Sequence, residues 1–217
     1  LLYKFLQWCP GAVGLLLRQK LYPRYLKNCG RKVLFGRFVE FVNAREKITI
    51  GSGVVLNDFV CLDGGDPSDF DSPLIIEDNV FIGTGTTVKV TDGSIRIGAG
   101  TNIGSDCLVQ SDLPVVFEND VLVAAFCEIG KRDHGRQQLP DHVDSDSSTL
   151  NTETTVKEGG WIGVRGKIKA GHHIGEGTII GAHSNVVTDL ADKVVAIGDP
   201  AQVLRERKEP QVIGRKS

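Results

Sequence analysis

Five histidines, five cysteines and a cluster of aspartates are the residues of this 217-residue chain whose chemistry invites a functional reading. An imidazole with its ordinary pKa near 6.5 can move protons at neutral pH. His134 and His142 both fall in the polar stretch 131–155, and a structureless excursion of that length from a regular chain is usually functional. His172, His173 and His183 lie in apolar, glycine-punctuated sequence, where structural roles are expected. The cysteines form no Cys-x-x-Cys pair and no metal-ligand spacing, and their odd number fits a reducing, cytoplasmic setting. No metal is expected, since the histidines lack the spacing of a three-ligand zinc centre. The run Asp63-Gly64-Gly65-Asp66-Pro67-Ser68-Asp69-Phe70-Asp71 does not match a calcium loop. With Asn57 upstream, its carboxylates and amide suit a hydroxyl-rich ligand such as a sugar, or simply a solvated acidic loop.

The elements that would position these groups come from a repeat. Apolar residues recur every sixth position at Ile50, Leu56, Leu62; Ile76, Ile82, Val88; Ile97, Ile103, Val109; Phe117, Val123, Ile129; and then without a break from Val156 through Ile162, Ile168, Ile174 and Ile180 to Val186. Glycine follows many of these anchors directly, and a small residue often sits four places after them. A period of six fits neither a helix nor a half-buried strand. It fits a parallel β-helix of short strands, three hexads to a coil, with one large apolar residue per strand pointing to the axis. The insertions after Leu62, Val88 and Ile129 all fall at third hexads, so they are expected to leave one side of the prism. Cys107 and Cys127 occupy small interior positions, which favours packing over redox roles.

The repeat and the tail together resemble the hexapeptide-repeat acyltransferases. The tail reads Trp161-Ile162-Gly163, then Ile180-Gly181-Ala182, then Val186-Val187-Thr188-Asp189, then Gly198-Asp199-Pro200-Ala201. The resemblance implies an all-β, left-handed parallel β-helix with an N-terminal helical arm, a long loop insertion and a short C-terminal helix. It divides the chain into an arm (1–40), a β-helix (41–190, with loops at 63–75 and 131–155) and a C-terminal segment (191–217). It also implies a homotrimer with acyl-CoA sites between subunits and acetyl-CoA as cosubstrate. Similar enzymes place a catalytic histidine shortly before Trp-Ile-Gly. His134, 27 residues before Trp161, is accordingly the expected general base, with His142 as its substitute. Cofactor contacts carry over to Val164, Ala182, Thr188, Gln202 and Arg205. Related chains commonly have lysine where this one has Asp189, so Arg165, Lys167 or Arg207 would have to compensate at the phosphates. Asn57, Asp63 and Asp133 are the expected acceptor contacts. The implied reaction is O-acetylation of a sugar in surface-polysaccharide assembly. Its rivals are N-acetylation of a nucleotide-linked amino sugar and a non-enzymatic scaffold.

Composition adds an asymmetry. Net charge is −2, but the first 39 residues hold eight basic side chains and no acid, and eight of the 14 aromatics lie in the first 41. No apolar run reaches the roughly 18 residues of a membrane span. The leading apolar stretch, broken by Pro10-Gly11, does not read as a secretory signal. Leu1–Trp8 and Ala12–Leu26 are expected to form short helices. A basic, aromatic arm of this kind either contacts the cytoplasmic membrane face peripherally or caps the β-helix and packs on a neighbouring subunit. No nucleic-acid partner is indicated.

Overall fold

The computed structural model describes residues 2–66, 73–132 and 153–207. Over these, strands of two to six residues build three sheets of seven, nine and seven strands, the faces of a triangular prism. Face one runs from Asn28–Cys29 to His173–Ile174, face two from Leu34–Phe35 to Ala201–Glu206, and face three from Glu40–Val42 to Asn185–Val186. Up to Val194–Gly198, each strand pairs in parallel with its counterpart one coil away, as in the face-one column Ile50, Ile76, Ile97, Phe117, Val156, Ile174. Seven coils are stacked this way, so coil one spans residues 28–42 and coil seven residues 173–186.

The hexad anchors form the axis of the core. All of them, from Ile50 to Val186, are buried, and none is more than 3% exposed. The small positions fill the corners and stitch coil to coil. Thr86 Oγ1 donates to Gly104 O at 2.7 Å and accepts from Cys107 N at 3.1 Å, and Thr178 repeats the pattern with Ala191 O and Val194 N. Cys107 and Cys127 continue the Thr86 column and donate to Ala124 O and Gly163 O. Contact with the Cys107 sulfur, together with burial, pushes the Cys127 thiol up. As the repeat implies, the interruptions after Leu62, Val88 and Ile129 all follow strands of face three.

The glycine after an anchor is there for closeness. A Cβ at Gly83 would lie 2.5 Å from Gly104 C, the backbone of the next coil. The left-handed backbone falls later in each corner and is carried mostly by other residues. On the ridge between faces two and three they are Phe38, Phe59, Gly85, Asp106, Phe126, Arg165 and His183, all with φ between 54° and 72°.

The helical arm closes the first end. α1 (Leu2–Trp8) and α2 (Gly11–Leu21) are followed by a 3-10 turn, Tyr22–Tyr25, and Leu6, Tyr22 and Leu26 join the core. Coil one would otherwise present an open strand edge. Instead Arg18 Nε donates to Phe35 O at 2.9 Å, Tyr3 Oη donates to Val39 O and accepts from Phe41 N, and Phe38 N donates to Gln7 O. Arg18, only 3% exposed, also donates through Nη1 to Leu6 O and Cys9 O at the end of α1.

Two expectations need correction. The ladder begins at Asn28–Cys29, one coil earlier than the aliphatic repeat indicates and inside the segment assigned to the arm. Where a short C-terminal helix was expected, Val194–Gly198 and Ala201–Glu206 form an antiparallel hairpin that extends face two, and no helix occurs there among the described residues. Val195 and Ala196 still pair in parallel with Ile179 and Ile180, so the ladder imposes strand geometry on the tail.

The outward row of face two is apolar along most of the prism. Leu34, Val55, Phe81, Asn102, Leu122, Trp161, Ile179 and Val195 stack in register, with Leu122 and Trp161 each half exposed.

Candidate active site

Face three of coils five to seven carries a cleft. Glu128, Lys167 and Asn185 pair in register, each one residue before a buried anchor, so their side chains point outward. With Lys131, Ile168 and Lys169 they line a cavity of about 170 Å³. Lys167 Nζ lies 3.4 Å from Glu128 Oε1, and Asn185 Nδ2 donates to Asp199 Oδ1 at 2.8 Å. Asn185 Oδ1 is buried without a hydrogen-bond partner. A buried acceptor left unpaired is costly, and a donor from a bound molecule would relieve that cost.

Both edges of this face bear residues singled out in the sequence. On the ridge entering it, Val164 and Ala182 sit in consecutive coils, and His183 N donates to Val164 O at 2.8 Å. The fit is tight, because a Cβ at Gly163 would meet Ala182 N at 2.6 Å. Arg165 swings away to lie over the Phe126 ring, 5.5 Å from its centre. The C-terminal hairpin folds its turn onto the same ridge, with Gly198 N donating to Ser184 Oγ and Gln202 paired with Ile197. Arg205 pairs with Val195, three residues and about 10 Å further along the strand. Arg207 donates to Gly177 O on the ridge between faces one and two.

Thr188 stands on the opposite edge, beyond Val186, exposed to solvent. Asp189 beside it has a structural role, since its Oδ1 accepts from His173 N at 2.9 Å and lies 3.6 Å from His172 Nδ1. Burial lowers the pKa of His172, and the Asp189 charge opposes that shift.

The stretch 131–155 leaves from this same edge. Its root is fixed by Asp112, which is buried: Oδ2 accepts from Arg132 N at 2.7 Å, while Thr91 Oγ1 and Gln110 Nε2 donate to Oδ1. Asp133, His134 and His142 lie outside the described residues. Asn57 and Asp63 are described, but on coil two, three coils or about 14 Å from coil five. Asp63 Oδ1 accepts from Gly65 N at 2.9 Å. The structure therefore gathers Val164, Ala182 and Gln202 on one edge of face three and Thr188 with the loop root on the other. It leaves Asn57 and Asp63 apart from them.

Sequence reasoning missed Glu128, Lys131, Lys169, Asn185 and Asp112. The signal for Glu128 and Asn185 was available, since the residue before a face-three anchor must point outward. Asp112 gave none, because its carboxylate is recruited by residues one coil away. Among the described residues no three His, Cys, Asp or Glu side chains gather as a metal-binding group.

A triangular prism built of short strands on a six-residue repeat defines a hexapeptide-repeat β-helix protein. No protein-family model matches the chain. Curated sequence relatives at 26–29% identity are nevertheless all acetyltransferases by name. It is 29% identical over 129 residues to a probable acetyltransferase of Mycobacterium tuberculosis, covering 59% of this chain and 43% of that protein. It is 28% identical over 109 residues to the putative colanic acid biosynthesis acetyltransferase WcaF of Escherichia coli, covering 50% and 60%. Against the galactoside O-acetyltransferase of Escherichia coli it is 29% identical over 113 residues, covering 52% and 54%. The chain thus spans about half the length of the curated relatives it matches. Among solved structures, the polysialic acid O-acetyltransferase OatWY superposes with a TM-score of 0.58 at 18% identity, covering 85% of this chain and 93% of that one. AntD, an N-acyltransferase of Bacillus cereus in complex with dTDP and 3-hydroxybutyryl-CoA, superposes at 0.56 with 19% identity and 88% of both chains. These likenesses show the shared fold.

Proposed function

We propose that the chain is an acetyl-CoA-dependent O-acetyltransferase acting on a sugar hydroxyl in surface-polysaccharide assembly at the cytoplasmic side of the membrane, with His134 as general base. The observation that carries this reading is the face-three cleft. Its lysines and unpaired Asn185 acceptor lie between the Val164–Ala182 ridge and the root of the stretch that holds His134.

The residues fit the cosubstrate. Lys131, Lys167 and Lys169 suit its phosphates, Asn185 Oδ1 suits an amide N–H of the pantetheine arm, and backbone groups near Val164 and Ala182 suit its remaining amides. Thr188, Gln202 and Arg205 are assigned to the same molecule. A thioester is already activated, so proximity and one base suffice. His134 takes the proton of the acceptor hydroxyl as the oxygen attacks the thioester carbonyl. Collapse of the tetrahedral intermediate breaks the carbon–sulfur bond, and the leaving sulfur receives that proton. Asp133 is assigned to the acceptor, with Asn57 and Asp63 as more distant candidates. Transfer to oxygen is supported by the galactoside O-acetyltransferase relative, and polysaccharide assembly by the colanic acid relative. The apolar row of face two supports association of parallel prisms into a homotrimer.

The test is release of free thiol from acetyl-CoA against a panel of sugars and amino sugars. Acceptor-dependent release with hydroxyl sugars is expected, and His134→Ala should lower turnover by roughly 10²–10⁴ with the fold unchanged. Release only with amino sugars would make the chain an N-acetyltransferase. No release and no CoA binding would make it a scaffold.

A further inference from the structure

We propose that the outer face of the N-terminal arm is a docking surface for an anionic lipid bilayer. The sequence poses capping and membrane contact as alternatives, but the structure assigns capping to one face only. Leu6, Arg18, Tyr22 and Leu26 face the prism, and Gly14 packs against the end of α1. The opposite side of the same helices exposes Phe5 (51%), Trp8 (63%), Val13 (65%) and Leu16 (64%). Lys4 and Lys20, one helical turn from Trp8 and Leu16, are exposed beside them, Arg24 and Lys27 are exposed further along the arm, and none of the four forms an ion pair among the described residues.

Large apolar and aromatic side chains rimmed by unpaired cations match an interface whose surface is negative and whose interior is apolar. The first acid of the chain is Glu40, so nothing in the arm repels such a surface. Both helices are too short to cross a membrane, and no described helix is long and apolar enough to do so. The arm also covers the blunt end of the prism, while the apolar row of face two runs along its flank. A partner that covers the flank therefore leaves the arm open. The hydrogen bonds from Arg18, Tyr3 and Gln7 fix the helices to coil one, so the face is presented without an ordering step.

The test is flotation of the full chain with vesicles of phosphatidylcholine alone and of phosphatidylcholine mixed with phosphatidylglycerol, at low and raised salt. Binding is expected only to the mixed vesicles and should weaken with salt. Trp8→Ser with Leu16→Ser should weaken binding about tenfold or more, and Lys4→Gln with Lys20→Gln should do likewise, since both terms contribute. Unchanged melting of each variant confirms that the cap is intact. No binding to mixed vesicles, equal binding to both, or binding indifferent to Trp8→Ser/Leu16→Ser would overturn the proposal. So would a fall in oligomeric mass in that variant, which would make the face a contact between copies. Acetyl transfer to a soluble sugar is measured separately, so failure of either reading leaves the other standing.

Discussion

Arg18 shows how much one side chain can organise. Its guanidinium, buried at 3% exposure, serves the open edge of coil one and the carbonyl end of α1 together. Arg18→Met keeps the bulk but leaves three carbonyls without a donor, and should destabilise the fold by about 3 kcal/mol, read as a lower denaturant midpoint. In the sequence Arg18 is only one of eight basic residues among the first 39, because charge says nothing about burial. The anchors are legible for the opposite reason: an aliphatic residue every sixth position has no use except at an axis. Asp189 stands out as a departure from the lysine of similar chains, but its reason needs His173 N, which lies across a coil boundary.

Elements are legible where the rule is periodic and lost where a neighbour imposes the structure. Coil one keeps the anchor-then-glycine signature at Cys29-Gly30 and Phe35-Gly36, and a Cβ at Gly36 would meet Asn57 C at 2.4 Å. It is hard to see in the sequence because its anchors are a cysteine and phenylalanines set among basic residues. The C-terminal hairpin has no periodic signal at all, since Val194–Gly198 becomes a strand by continuing face two. The ridge of Val164 and Ala182 depends on the same closeness of coils. Gly163→Ala would push coils six and seven apart there, costing about 1–3 kcal/mol of stability. It should also weaken acetyl-CoA binding several-fold by calorimetry, whereas a purely structural ridge would leave affinity unchanged in the folded fraction.

At the scale of the molecule, the apolar row of face two is the feature that a lone prism does not explain. Trp161→Glu with Leu122→Glu places charges in its middle, and sedimentation should then show single chains, against the three-chain mass that the proposed homotrimer predicts for the native protein. An unchanged mass would move the contact elsewhere. The spacing of the coils has one more consequence, because a stack of strands is also a ruler. Coil six lies five strand spacings, about 24 Å, above coil one. If the arm rests on lipid with the prism upright, the lysine cleft is held at about that height. A sugar attached directly to a lipid carrier would stay beneath it, and a longer glycan would arrive with its outer units in reach. Acceptor length, more than the identity of a single ring, would then decide which molecule is modified.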